Sequence, residues 1–203
     1  EWELQQLGFD YTYDKKLIDR IASGSPRDIL GHLYADPDYQ ERSCRFIENH
    51  DEERAVTEFG KDRSKAAAII ISTIPGGRLY YDGQFEGKKI KLPVQLGREP
   101  IETESEEIKS FYKKILSITS EKIFKSGDWK LLKVNPSWEK NTTFQNILAW
   151  ELRYGGERRI VVVNYSPATS TCRLAIDVVG YVEEFILNDL LNDVCYKRSA
   201  EEI

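Results

Sequence analysis

At 203 residues, the chain is long enough to bury one large core or two modest ones. A net charge of −5 excludes the basic face that nucleic acid requires, and no apolar run, the longest being 66–71, approaches the roughly 18 residues of a membrane span. Glu1-Trp2-Glu3 lacks the basic start and apolar core of a signal peptide, and Cys44, Cys172 and Cys195 are odd in number and widely spaced, as free thiols of a reducing, cytoplasmic setting would be.

In chain order, residues 7–13 alternate aromatic and polar side chains at strand spacing. Asp14 is placed to cap a helix over 15–23, with Leu17, Ile18 and Ile21 on one face and Gly24 ending it. Ser25-Pro26-Arg27-Asp28 opens a second helix that fades by Asp36-Pro37 and carries His32 on its face. A buried strand over 44–47 follows, then a short helix over 52–59. Asp62 is expected to cap a further helix over 63–73, and residues 78–81 read as a strand after the Pro75-Gly76-Gly77 break. Thr103 to Glu106 has the form of a capping box opening a helix that runs to about Thr119.

The strand-helix alternation up to residue 120 predicts an α/β domain. From Gly127 the pattern changes to short runs over 129–134, 147–154, 159–165, 172–178 and 181–187, which predict an antiparallel β-sandwich. The clearest hairpin turns at Gly155-Gly156. Domains are therefore expected over 1–122 and 123–203, and the polar tail 195–203 offers no closing apolar strand.

The chain is organised around Phe46-Ile47-Glu48-Asn49-His50-Asp51, an apolar strand that runs directly into an amide, an imidazole and carboxylates. At the C-terminal end of a parallel strand such groups collect chemistry; Asn and Asp equally suit a turn that caps the next helix. The hexapeptide resembles the fourth conserved region of the α-amylase superfamily of retaining α-glycosidases (glycoside hydrolase family 13-like). Residues 75–87 are similar to the segment around that family's eighth barrel strand, and Gly8-Phe9-Asp10-Tyr11 to the strand that precedes region four. The resemblance implies the C-terminal part of a (β/α)8 TIM barrel, and the strands after Gly127 resemble the sandwich that follows such barrels.

Retaining glycosidases hold two carboxyl groups about 5–5.5 Å apart, and the resemblance adds a third carboxylate that stabilises the transition state. Its matching position is Asp51, with His50 donating to the same sugar ring and Asn49 a substrate-binding member of the motif that also orients the loop. Arg54 is expected in surface pairs. Glu86 departs from the spacing of the family's eighth-strand Glu, and a structural loop suits it better. The nucleophilic Asp and acid/base Glu of the family precede the strand at Phe9, so this chain, which contains no Met, is expected to be a fragment that lacks both and is inactive alone. The implied substrate is an α-glucan or maltooligosaccharide, with no nucleic acid and no membrane as partner. No cofactor and no metal site are expected, since the family's calcium ligands lie mainly upstream. The open barrel edge calls for the missing N-terminal half or for self-association. The alternative is a non-catalytic carbohydrate-binding, regulatory or interaction module of amylase-like fold.

Overall fold

The computed structural model describes residues 1–93, 95, 98–177 and 184–199. The chain divides into two compact units, Glu1–Leu116 and Ser117–Ile203.

The first unit opens with α1 (Trp2–Gln6), an exposed turn of helix absent from the sequence reading. It is held by one buried residue: Gln5 donates from Nε2 to Thr12 Oγ1 at 3.0 Å and to the Arg42 carbonyl at 3.1 Å. The expected strand over 7–13 is shorter than its pattern, because only β1 (Thr12–Tyr13) has a neighbour to pair with. It is followed by α2 (Lys15–Ser23), whose first turn is capped by Asp14 Oδ1 accepting from Leu17 N at 3.2 Å, and whose end is Gly24 in the left-handed conformation. In α3 (Pro26–Leu33) Ser25 caps as expected; a further short helix, α4 (Pro37–Glu41), starts where the second helix was expected to fade, capped by Asp36. Next come β2 (Ser43–Arg45), α5 (Ala55–Phe59), α6 (Lys61–Thr73), β3 (Gly77–Arg78) and α7 (Glu106–Thr119). Two caps differ from expectation. Gly60 rather than Asp62 precedes α6, and Ser105, whose Oγ accepts from Ile108 N, replaces Thr103 at the start of α7.

Strands β1, β2 and β3 form a parallel sheet in that order, Tyr13 opposite Cys44 and Arg45 opposite Arg78. Period two sorts its side chains. Thr12, Asp14, Ser43 and Arg45 are buried, while Tyr11 and Tyr13 on the alternate positions are exposed. Leu17, Ile21, Ile29, Leu33, Ile70 and Ile71 make up much of the unit's core and are almost wholly removed from water. Arg45 is completely buried among polar partners. Its guanidinium pairs with the Asp14 carboxylate and donates to the carbonyls of Gln40 and Pro75, both at 3.1 Å. Gly76 allows this approach: at φ +109° a Cβ there would lie 2.3 Å from the Ser43 carbonyl oxygen.

The second unit contains α8 (Ile123–Ser126), β4 (Asp128–Leu131), β5 (Val134–Asn135), a 3₁₀ turn (Thr143–Asn146), β6 (Ile147–Tyr154), β7 (Glu157–Asn164), β8 (Arg173–Leu174), β9 (Glu184–Asp189) and β10 (Val194–Ser199). They form three antiparallel sheets, β4-β6-β7, β5-β8 and β9-β10. The hairpin β6–β7 turns at Gly155-Gly156, both at positive φ, the backbone a two-residue turn demands. Trp150 is fully buried in β6 with Trp129 at 6.4 Å between ring centroids. The sequence offered no last strand after Cys195, yet β10 pairs with β9 over six residues; its side chains are nearly all exposed, so no apolar stripe announced it. Val178 and residues 181–183, which the sequence assigned to strands, and the tail 200–203 lie outside the described residues. Among the described residues no helix is long and apolar enough to cross a membrane.

Candidate functional site

The organising motif leaves β2 with Phe46 and Ile47 buried and Glu48 buried immediately after them. A carboxylate at such a position requires partners, and Glu48 has two. Its Oε1 accepts from Arg54 Nη1 at 2.8 Å and its Oε2 from the Ala55 amide at 2.7 Å, the first amide of α5. Burial pushes the Glu48 pKa up, and those two bonds oppose the shift. Asn49 is also buried, and its Oδ1 accepts from the amides of Asp51 at 2.8 Å and Glu52 at 3.0 Å, a local turn made by the side chain. The next two side chains are lifted into solvent: His50 is 48% exposed and Asp51 70%, with His50 Nε2 3.1 Å from Asp51 Oδ2.

Three cations surround this loop. Lys91 Nζ donates to the Asp51 carbonyl at 2.6 Å and lies 4.0 Å from Glu53. Lys15 Nζ, at the start of α2, is 2.9 Å from Glu52. Arg54 corrects the sequence reading: it is not a surface ion-pair partner but a buried one. Besides Glu48 it binds the carbonyls of Asp82 at 2.6 Å and Ile90 at 3.2 Å, and its guanidinium sits 4.7 Å above the Tyr81 ring. A signal for this existed. A Glu closing an apolar strand must be matched by a nearby cation, and Arg54 is the first one after it.

Beside the loop, Tyr13 packs against Phe46 with the rings tilted by 60° and 5.4 Å between centroids. Tyr13 and Lys15 also line an open cavity of about 540 Å³ together with Leu4, Phe9 and Tyr11. Glu86 contributes its carbonyl, which accepts from Ser105 N at 2.9 Å and anchors the start of α7. His32 is remote in role: buried on α3, it donates from Nε2 to Asp14 Oδ2 at 2.8 Å. Burial, reinforced by Arg20, pushes its pKa down to about 4, so it is neutral at neutral pH. Among the described residues no group of three or more His, Cys, Asp and Glu side chains is placed to hold a metal ion. The solvent-facing pair itself, a carboxylate that accepts and an imidazole that donates, is suited to hydroxyl groups.

No protein-family model matches the chain. An α-amylase, MalA of Haloarcula japonica, is 25% identical over 181 residues, which are 87% of this chain and 26% of that protein. The chain is thus similar in sequence to part of an α-amylase. Its fold is that of solved enzymes of this kind. A maltogenic α-amylase from Thermotoga neapolitana superposes with a TM-score of 0.74 at 21% identity, covering 96% of this chain and 47% of the other. An α-amylase from Lactobacillus plantarum gives 0.71 at 18%, covering 98% and 46%. The chain thus spans about a quarter of the curated relative and under half of these two structures.

Proposed function

We propose that the chain carries one wall of the sugar site of an α-glucan-acting retaining α-glycosidase or transglycosylase. In this reading β1, β2 and β3 with their helices are the last part of a (β/α)8 barrel, and the antiparallel sheets of the second unit belong to the sandwich that follows it. Asp51 accepts hydrogen bonds from sugar hydroxyls that strengthen as the oxocarbenium-like transition state forms. His50 donates to the same ring, and Asn49 holds both in place through the turn it closes. In this reading the nucleophile and the acid/base belong to barrel strands other than β1, β2 and β3.

The observation that carries this reading is the loop at the carboxyl end of β2, which buries Glu48 and Asn49 as supports and exposes His50 and Asp51. The relationship to α-amylases supplies the ligand class. Maltoheptaose titration followed on the histidine ring resonances tests it directly, because His50 is one of only two histidines and the other is buried. Saturable shifts at His50 that vanish in Asp51→Ala are expected; no shift at any concentration up to the solubility of the sugar sinks the reading. Further strands of such a barrel are proposed as the partner of the exposed Phe9, Tyr11 and Tyr13 surface beside β1.

A further inference from the structure

The loop that bears His50 and Asp51 is bound on its far side to another strand-end segment, and the link is a single buried side chain. Arg54 holds Glu48, at the start of the loop, with Nη1 at 2.8 Å, and the same nitrogen reaches the Asp82 carbonyl at 2.6 Å. Its Nε takes the Ile90 carbonyl at 3.2 Å, and its flat face covers Tyr81. Lys91 adds a bond from the same segment to the backbone of Asp51 itself. Gly83, at φ +85°, lies within this arrangement: a Cβ there would meet Arg54 Nη2 at 3.2 Å and the Lys88 side chain at 2.7 Å. Neither loop has another buried charged side chain joining it to the other among the interactions described.

We propose that Arg54 is a positioning residue that makes the His50–Asp51 loop and the segment 79–91 behave as one rigid wall of the site. The proposal rests on the sugar-site reading for what the wall is used for, but the coupling itself does not depend on any ligand. A planar guanidinium is required because one group must serve a carboxylate, two carbonyls in different directions and an aromatic face. A lysine at the same place keeps the charge and loses the geometry.

Amide hydrogen exchange on the full chain, in wild type and Arg54→Lys, reads the coupling. The reporting amides are those of Asp51 and Glu52 in one loop and Gln84, Gly87 and Lys88 in the other, all hydrogen-bonded. The expected result is a loss of protection of at least about tenfold in both segments together. The α2 and α3 amides stay unchanged, and maltoheptaose affinity falls by about the same factor. A residue with only a general structural role would instead raise exchange across the whole first unit, which would overturn the proposal, as would a change confined to one loop or absent from both. If Arg54→Lys does not fold, Glu48→Gln is measured by the same criteria, and paired loss supports the proposal while unpaired loss overturns it. Coupled exchange in a wild-type chain that binds no maltoheptaose upholds the coupling and overturns the sugar-site reading instead.

Discussion

His32 and Asp14 meet at 2.8 Å inside the buried, charged centre of the first unit, where the Asp14 carboxylate is already matched by Arg45. A protonated imidazole would therefore add an uncompensated charge in a site closed to water. Burial, reinforced by the positive charge of Arg20, pushes the His32 pKa down to about 4.

The sign of the pH dependence follows. The unfolded chain takes up a proton on His32 near its ordinary pKa of about 6.5, the folded chain only near 4. Stability contributed by neutral His32 is fully present above pH 6.5 and is lost as pH falls towards 4, a change of about 3 kcal/mol over the window. Urea unfolding measured across that range should show the slope in wild type and lose most of it in His32→Gln.

Removing Arg45 strands the Asp14 carboxylate and two carbonyls. Arg45→Met is expected to cost about 3–5 kcal/mol. The double variant Asp14→Asn with Arg45→Met, which leaves no buried charge in the pair, should recover a substantial part of the loss. Thermal unfolding of Arg45→Met, Asp14→Asn and the double variant checks both statements; a double-variant loss equal to the sum of the two single losses would show that the pair is not coupled.

Gly76 cannot carry a side chain. Its φ of +109° and the 2.3 and 2.8 Å approach of the Ser43 and Gln40 carbonyl oxygens to a built Cβ predict that Gly76→Ala loses about 2–5 kcal/mol. Gly31→Ala, in α3 with open space around its Cβ, is the matched control and should be neutral or stabilising.

Phe9, Tyr11 and Tyr13 are exposed at and just before β1, which among the described residues pairs only with β2. Such an apolar edge recruits further chains. Light scattering after size exclusion is expected to show concentration-dependent association of the wild-type chain, reduced in Phe9→Ser with Tyr11→Thr. A monomer at every concentration contradicts this expectation.

What was legible in the sequence was whatever local chemistry determines. Asp14 and Gly24 delimit α2 on their own, and the apolar run ending in Gly155-Gly156 determines β6 and β7, because cap and turn residues act over a few positions. The α1 helix escaped notice because it has no side-chain cap and its anchor is one glutamine reaching residues far along the chain. Strand ends were overestimated for β1 and displaced for β2 and β3, since a pattern of alternation continues past the point where a neighbour remains to pair. For the site, Asn49, His50 and Asp51 were visible as a cluster. The burial of Arg54 was legible only through the need of Glu48 for a cation; its other partners, Asp82 and Ile90, are supplied by a segment about thirty residues away.

The reach of Arg45 has a kinetic consequence. Its partners lie 31 residues before it at Asp14, 5 before it at Gln40 and 30 after it at Pro75, so they converge only when most of the first unit is in place. Until then the guanidinium has no reason to leave water. The central knot is therefore expected to tighten late in folding, so that Arg45→Met speeds unfolding more than it slows folding.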